Sequence, residues 1–219
     1  MSDSTIEVWG RADSSAVARV MWTLGELGLP CVRHDWGGKF GGNDDPSFRA
    51  MQPAGRIPAV RLPGGATLWE SNAVIRYLTA THATGGLMPA DPIVRARADA
   101  WMDWSAAFAD AVSGIRSAYR SADATPEAIA AARTRSLPVL HVLEQALDRQ
   151  DFVMGDTMTM ADLSLGVWGH RLHRCPEGAR PADLPAVDAW LARLRTRAAY
   201  REHVVAHVSA RPQTIGMAT

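Results

Sequence analysis

The stretch GRIPAVRLPGGATLWESNAVIRYL, residues 55–78, is the most informative part of the sequence, because it predicts three secondary-structure elements within a short segment. The pattern predicts strands at 57–62 and 66–69 and a helix at 71–81. Pro63-Gly64-Gly65 between the two strands is typical of a tight hairpin turn. The two strands are therefore expected to be antiparallel and to lead directly into a helix.

The residues before this stretch predict a second, parallel pairing. We expect strands at 6–9 and 31–34, a helix at 16–28 between them and a glycine-rich loop at 37–45. A helix that connects two strands acts as a crossover, so these strands should lie parallel. The N-terminal region is therefore expected to be a small α+β layer.

The residues after the stretch predict only helices. We expect helices at 93–119, from Thr125-Pro126 to 150, at 163–172 and at 185–197. Pro138 should kink or interrupt the second of these, and Thr159 with Asp162 resembles a capping box before the third. The predicted organisation is an α+β domain at 1–82, a linker at 83–92 rich in Gly and Pro, and an all-α domain at 93–219.

Composition argues against several classes of protein. The 23 basic residues balance the 23 acidic ones, so we expect neither a nucleic-acid partner nor an anionic membrane surface. The two cysteines stand far apart and in no metal-binding spacing. The N-terminus lacks the pattern of a signal peptide, and no apolar run is long enough to span a membrane. We expect a soluble, cytoplasmic protein without a metal.

Three motifs together resemble the glutathione S-transferase family, in its bacterial theta-like and beta-like branches. They are GRIPAV at 55–60, ESNAVIRYL at 70–78 and MTMADLSLG at 158–166. The resemblance implies a thioredoxin-like N-terminal domain, an all-helical C-terminal domain and a homodimer. It also implies glutathione as co-substrate and, as activity, conjugation of its thiol to a hydrophobic electrophile in detoxification.

The resemblance places the γ-glutamyl end of glutathione at Glu70 and Ser71. A helix N-terminus offers free backbone amides to a carboxylate, and the Ser71 hydroxyl can add a donor. A simpler interpretation is that Ser71 caps the helix while Glu70 complements its dipole.

The resemblance assigns the rest of the tripeptide to loop residues. It implies a cis peptide at Ile57-Pro58, which turns the Ile57 backbone towards the cysteinyl residue. Lys39, Arg56 and Gln52 are the candidates for the glycyl carboxylate, although solvation alone explains most loop cations.

The segment GRADSSAV, residues 10–17, offers hydroxyls for the thiol. Asp13, Ser14 and Ser15 can each cap the following helix. Alignment with the serine motif of the family makes Ser14 the residue that stabilises the thiolate, with Ser15 as the alternative. Ala16 stands where that motif has asparagine, which weakens the transfer of catalytic strength.

The second substrate is expected in an apolar pocket lined by Trp104 and Phe108, although aromatic residues at helical spacing usually form core. Two alternatives to conjugation remain. One is a glutathione-dependent isomerase or ether-cleaving enzyme on the same fold. The other is a non-catalytic protein of this fold that binds ligands or partners.

Overall fold

The hairpin and its neighbours form a four-stranded mixed sheet in a computed structural model, which describes residues 5–181 and 184–208. The strands are β1 (Ile6–Trp9), β2 (Cys31–His34), β3 (Ala59–Arg61) and β4 (Thr67–Trp69). Their order is β2-β1-β3-β4, with β1 parallel to β2 and the other two pairings antiparallel. The predicted parallel pair and the predicted hairpin are both confirmed.

Three helices accompany this sheet: α1 (Ser15–Glu26), α2 (Pro46–Met51) and α3 (Ser71–His82). A core of strand residues and one face of α1 and α3 holds the layer together, with Val8, Val20 and Leu78 completely buried. The loop predicted at 37–45 contains a single 3₁₀ turn at Gly38–Phe40, and α2 was not predicted.

The rest of the described chain is helical, in agreement with the prediction. The helices are α4 (Pro92–Arg120), α5 (Pro126–Ala146), α6 (Met160–His173), α7 (Pro185–Thr196) and α8 (Ala198–Tyr200), which continues into a π-helical turn at Arg201–Val205. Pro138 does not interrupt α5, because packing against neighbouring helices sustains a helix that lacks one internal hydrogen bond. Within the described residues, none of these helices is long and apolar enough to cross a membrane.

The predicted capping box is confirmed at the start of α6. Thr159 Oγ1 accepts a hydrogen bond from the α6 backbone, and Asp162 accepts one from the Thr159 amide at 2.9 Å. Asp162 is fully buried and also accepts from the Val153 amide at 3.0 Å and from Trp190 Nε1 at 2.9 Å. One carboxylate therefore joins the start of α6 to the preceding loop and to α7.

Polar side chains join α1 and α3 to the helical region. Arg19 on α1 donates to Asn72 Oδ1 at 3.1 Å, and Asn72 donates to the Met102 carbonyl on α4 at 2.7 Å. At the other end of α1, Glu26 accepts two hydrogen bonds from Arg197, at 2.8 and 2.6 Å. These contacts hold α1 and α3 against α4 and against the end of α7.

Candidate functional site

Ser14 stands at the N-cap of α1, directly after the end of β1. Its backbone is extended, and its Oγ accepts a hydrogen bond of 3.5 Å from the Val17 amide. A β-carbon at Gly10 would stand 2.3 Å from Val17 and 3.3 Å from the Ile57 side chain, so only glycine allows this close approach. Ile57 therefore lies beside the start of the helix that Ser14 caps.

Ser15, the alternative to Ser14, is engaged by the helical region. Its Oγ accepts a hydrogen bond from Arg171 Nε on α6, and Arg171 also donates to the Asp13 carbonyl at 2.7 Å. Ser14 receives no such bond from Arg171. Each hydroxyl oxygen thus accepts one hydrogen bond, Ser14 from the backbone of its own helix and Ser15 from a side chain of the helical region.

Glu70 and Ser71 form an unusual start to α3. Glu70 has φ 65°, a left-handed conformation that costs a residue with a side chain of order 1–3 kcal/mol and that concentrates at ligand sites. Its side chain makes no capping hydrogen bond, and Ser71 is the first helical residue rather than the cap. The simpler capping interpretation is therefore wrong for Ser71, which borders a cleft of about 440 Å³ together with Glu70 and Trp168.

The Ile57-Pro58 peptide is cis, as the resemblance implied. Pro58 is buried, and a β-carbon at Gly37 would stand 3.1 Å from the Ile57 side chain. This contact places the loop that carries Lys39 close to the same segment. Ile57 thus lies between that loop and the start of α1.

The three candidates for the glycyl carboxylate have different surroundings. Lys39 is exposed and borders a cleft of about 590 Å³, with its Nζ 4.8 Å from the Phe40 ring centre. Gln52 is buried, and its Oε1 has no hydrogen-bond partner among the described residues. Arg56 is exposed and does not border that cleft.

A cleft of about 760 Å³ opens between the start of α1, the second half of α4 and the end of α6. Its lining includes Ser14, Ser15, Ala16 and Trp168. The other lining residues are the arginines Arg11, Arg116, Arg120 and Arg171 and the serines Ser113, Ser117 and Ser121. The space beside Ser14 is therefore polar and cationic.

Trp104 and Phe108, expected to line an apolar pocket, are not among the residues that border this cleft. Phe108 is completely buried in the helical core, and Trp104 packs against that core and stacks on Phe108 with ring centres 5.8 Å apart. The two rings lie one turn apart on α4, and this part of the helix faces the core. The cleft is bordered instead by the last two turns of the same helix.

The positive charge of the cleft is only partly balanced. Arg11 pairs with Asp13 at 3.1 Å, whereas Arg116 and Arg120 form no ion pair with any described residue. Burial and the neighbouring Arg116 lower the pKa of Arg171 to about 10, so Arg171 stays protonated at neutral pH. Four like charges thus border one cleft.

Sequence reasoning missed this arginine group. Ser113, Arg116, Ser117 and Arg120 recur at intervals of three, one and three, which places them on one face of α4. That polar stripe near the end of the helix was a usable signal. Arg11 and Arg171 join it only through the tertiary fold. Among residues 5–181 and 184–208, no group of three or more His, Cys, Asp or Glu is placed to hold a metal.

Comparisons with known proteins identify the family that has this arrangement of domains. The family model described as the N-terminal domain of glutathione S-transferase matches residues 13–81, and the one described as its C-terminal domain matches residues 126–193. Glutathione S-transferase GstB of Escherichia coli K12 is 32% identical over 211 residues, which are 93% of this chain and all of that protein.

A solved structure is also similar over nearly the whole chain. It is the theta class glutathione S-transferase of Xanthomonas axonopodis pv. citri with glutathione bound, with a TM-score of 0.84 and 38% identity over 93% of this chain and 99% of that one. Elongation factor 1-gamma of Trypanosoma cruzi is 33% identical over 131 residues, 57% of this chain but 31% of the elongation factor. Both family domains and a full-length relative match, and the chain therefore belongs to the glutathione S-transferase family.

Proposed function

We propose that this glutathione transferase activates the glutathione thiol at Ser14 and transfers the sulfur to an electrophilic carbon. The observation that carries the proposal is the position of Trp168, which borders both the cleft of Ser14 and the cleft of Glu70 and Ser71. An extended tripeptide held at Ser71 can therefore direct its cysteinyl residue towards the start of α1.

The γ-glutamyl end would be held at the start of α3. Its carboxylate would accept hydrogen bonds from the first backbone amides of the helix and from the Ser71 hydroxyl, and Glu70 would attract the ammonium. The left-handed conformation of Glu70 supports this assignment, since the cost of such a conformation is compensated at sites that bind a ligand.

The middle of glutathione would pair with the backbone of Ile57 as an added strand, next to the cis Pro58. Lys39, Gln52 or Arg56 would bind the glycyl carboxylate. Lys39 is favoured because it borders a cleft that shares Arg11 with the cleft of Ser14.

The chemical step would begin with the thiol. A cysteine thiol has a pKa of about 8.5, so a small fraction is ionised at neutral pH. A hydrogen bond from the Ser14 hydroxyl and the N-terminal dipole of α1 both favour the anion. The thiolate sulfur then bonds to the electrophilic carbon, the leaving group departs with its electron pair, and the thiol proton passes to solvent.

A second candidate function is binding without catalysis. Ala16 borders the cleft and presents only a methyl group. The serine motif of the family has an asparagine side chain at this position. The similarity to a segment of elongation factor 1-gamma is compatible with such a role. Thioether formation distinguishes the two candidates, because a binding protein produces none.

Glutathione binding tests the anchor at α3. We expect calorimetry to detect binding to the wild type and an affinity lower by roughly tenfold to a hundredfold in Ser71→Ala, the value of a hydrogen bond to a charged group. Thr81→Ala, at the exposed far end of the same helix, should bind as the wild type does. A folded wild type that does not bind glutathione, with no heat at two different temperatures, would exclude the proposed function.

A further inference from the structure

We infer that the electrophile bears an anionic group, a carboxylate or sulfonate, which Arg116 and Arg120 bind beside Ser14. The inference rests on the proposed function for the reaction, but the anion site itself stands on the cleft. The second substrate would then carry a negative charge, whereas the sequence predicted a hydrophobic electrophile. Arg116 is the arginine that indicates a ligand, because the other arginines of the cleft have structural explanations.

Three of the four arginines need no ligand. Arg171 holds Ser15 and the Asp13 carbonyl, Arg11 pairs with Asp13, and Arg120 lies in the last turn of α4, where a cation complements the helix dipole. Their charges nevertheless remain at the cleft.

Arg116 lacks such an explanation. It is 7% exposed, it borders the cleft, and its Nη1 has no hydrogen-bond partner among the described residues. A buried guanidinium nitrogen without an acceptor is unfavourable, so Nη1 of Arg116 indicates an acceptor that arrives from outside. The adjacent Cys175 does not supply an anionic acceptor, because burial raises the pKa of that thiol and keeps it neutral.

The chemistry of the lining fits a carboxylate or sulfonate. Guanidinium groups present paired N–H donors that match the planar or tetrahedral oxygens of such anions. Ser113 and Ser117 on the same face of α4 add hydroxyl donors. The indole of Trp168, whose Nε1 is also buried without a partner, offers an apolar surface to the body of the substrate and a further donor.

Glutathione itself is a less suitable occupant. Its two carboxylates are assigned to the start of α3 and to the loop of Lys39, both in the N-terminal region. Arg116 and Arg120 belong to α4, across the cleft from Ser14. The anion that they bind is therefore expected on the second substrate.

A pair of aryl chlorides that differ in charge tests the inference. The anionic one is 4-chloro-3,5-dinitrobenzoate and the neutral one is its amide. In each, the glutathione sulfur bonds to the ring carbon and chloride leaves. We expect wild-type kcat/KM, relative to the uncatalysed rate, to favour the benzoate. Arg116→Gln should reduce that preference by roughly tenfold to a hundredfold and leave KM for glutathione unchanged.

Arg95→Gln is the matched control, since Arg95 is an exposed residue on the first turns of the same helix and borders none of the clefts described above. It should retain the full preference. Equal use of both chlorides by the wild type would overturn the inference, as would an Arg116→Gln variant that keeps the preference. If Arg116→Gln weakens only the affinity for glutathione, Arg116 belongs to the glutathione site, and this result would also overturn the inference.

Binding of 3,5-dinitrobenzoate, which has no leaving group, separates this inference from the proposed function. We expect calorimetry to show tighter binding of this anion than of 3,5-dinitrobenzamide, and loss of the difference in Arg116→Gln. Selective binding without any thioether formation would refute the proposed function and keep the anion site. Thioether formation without selective binding of the anion would refute the anion site and keep the proposed function.

Discussion

Replacing Ser14 with alanine is expected to lower kcat/KM for conjugation by roughly tenfold to a hundredfold, the value of one hydrogen bond to a charged group. The acid limb of the pH profile should also move to higher pH. The hydroxyl stabilises the thiolate and so lowers the pKa of the bound thiol, and its loss raises that pKa. A shift of one to two pH units corresponds to about 1.4 to 2.7 kcal/mol.

Two variants show whether the effect belongs to the hydroxyl. Ser14 also caps α1, and loss of a cap costs about 0.5–2 kcal/mol, so the free energy of unfolding must be measured beside the rate. Ser14→Thr keeps a hydroxyl and a cap and should retain most activity. Ser15→Ala should change the rate only a few-fold, because that hydroxyl is bound to Arg171. If Ser15→Ala has the larger effect, the two assignments must be exchanged.

Replacing Asp162 with alanine is expected to lower the free energy of unfolding by about 3–5 kcal/mol. The substitution leaves the buried donors of Thr159, Val153 and Trp190 without an acceptor. Each buried donor left unpaired costs about 1–3 kcal/mol. The substitution also abolishes the capping box. The start of α6 then loses its hydrogen bonds to the preceding loop and to α7.

Denaturant unfolding at a fixed protein concentration measures this loss. Asp110→Ala is the control, because Asp110 is exposed on α4 and forms no hydrogen bond or ion pair with a described residue. Its effect should stay within about 0.5 kcal/mol. A change below 1 kcal/mol in Asp162→Ala would mean that water or a rearranged loop satisfies the three donors.

Most of the fold was predictable from local patterns. Strands β1 and β2 begin and end at the predicted residues, and the capping box of α6 is present as expected. The short helix α2 was not predicted, because it has six residues and only Phe48 buried, too few for an apolar period. The signal available was Asp45-Pro46, a cap followed by proline at the first turn.

The sequence predicted only those residues of the candidate site that lie within a recognisable motif. The segments around Ile57-Pro58 and Glu70-Ser71 were found by resemblance, and the cis peptide is present. The wall opposite Ser14 was not found, since no local motif marks it. The apolar spacing on α4 predicted that Trp104 and Phe108 line the pocket. In the folded protein Phe108 lies in the core and Trp104 packs against it, whereas Arg116 borders the cleft.

Thioether formation is the direct test of whether this protein is a catalyst of conjugation. Glutathione and 4-chloro-3,5-dinitrobenzoate are incubated with the wild-type protein, and the conjugate is quantified by mass spectrometry against the uncatalysed reaction. We expect the rate of conjugate formation to be proportional to enzyme concentration, to saturate with glutathione and to be much lower with Ser14→Ala. A protein that binds glutathione and yet forms no conjugate above the uncatalysed rate, with this chloride or its neutral amide, would contradict this expectation.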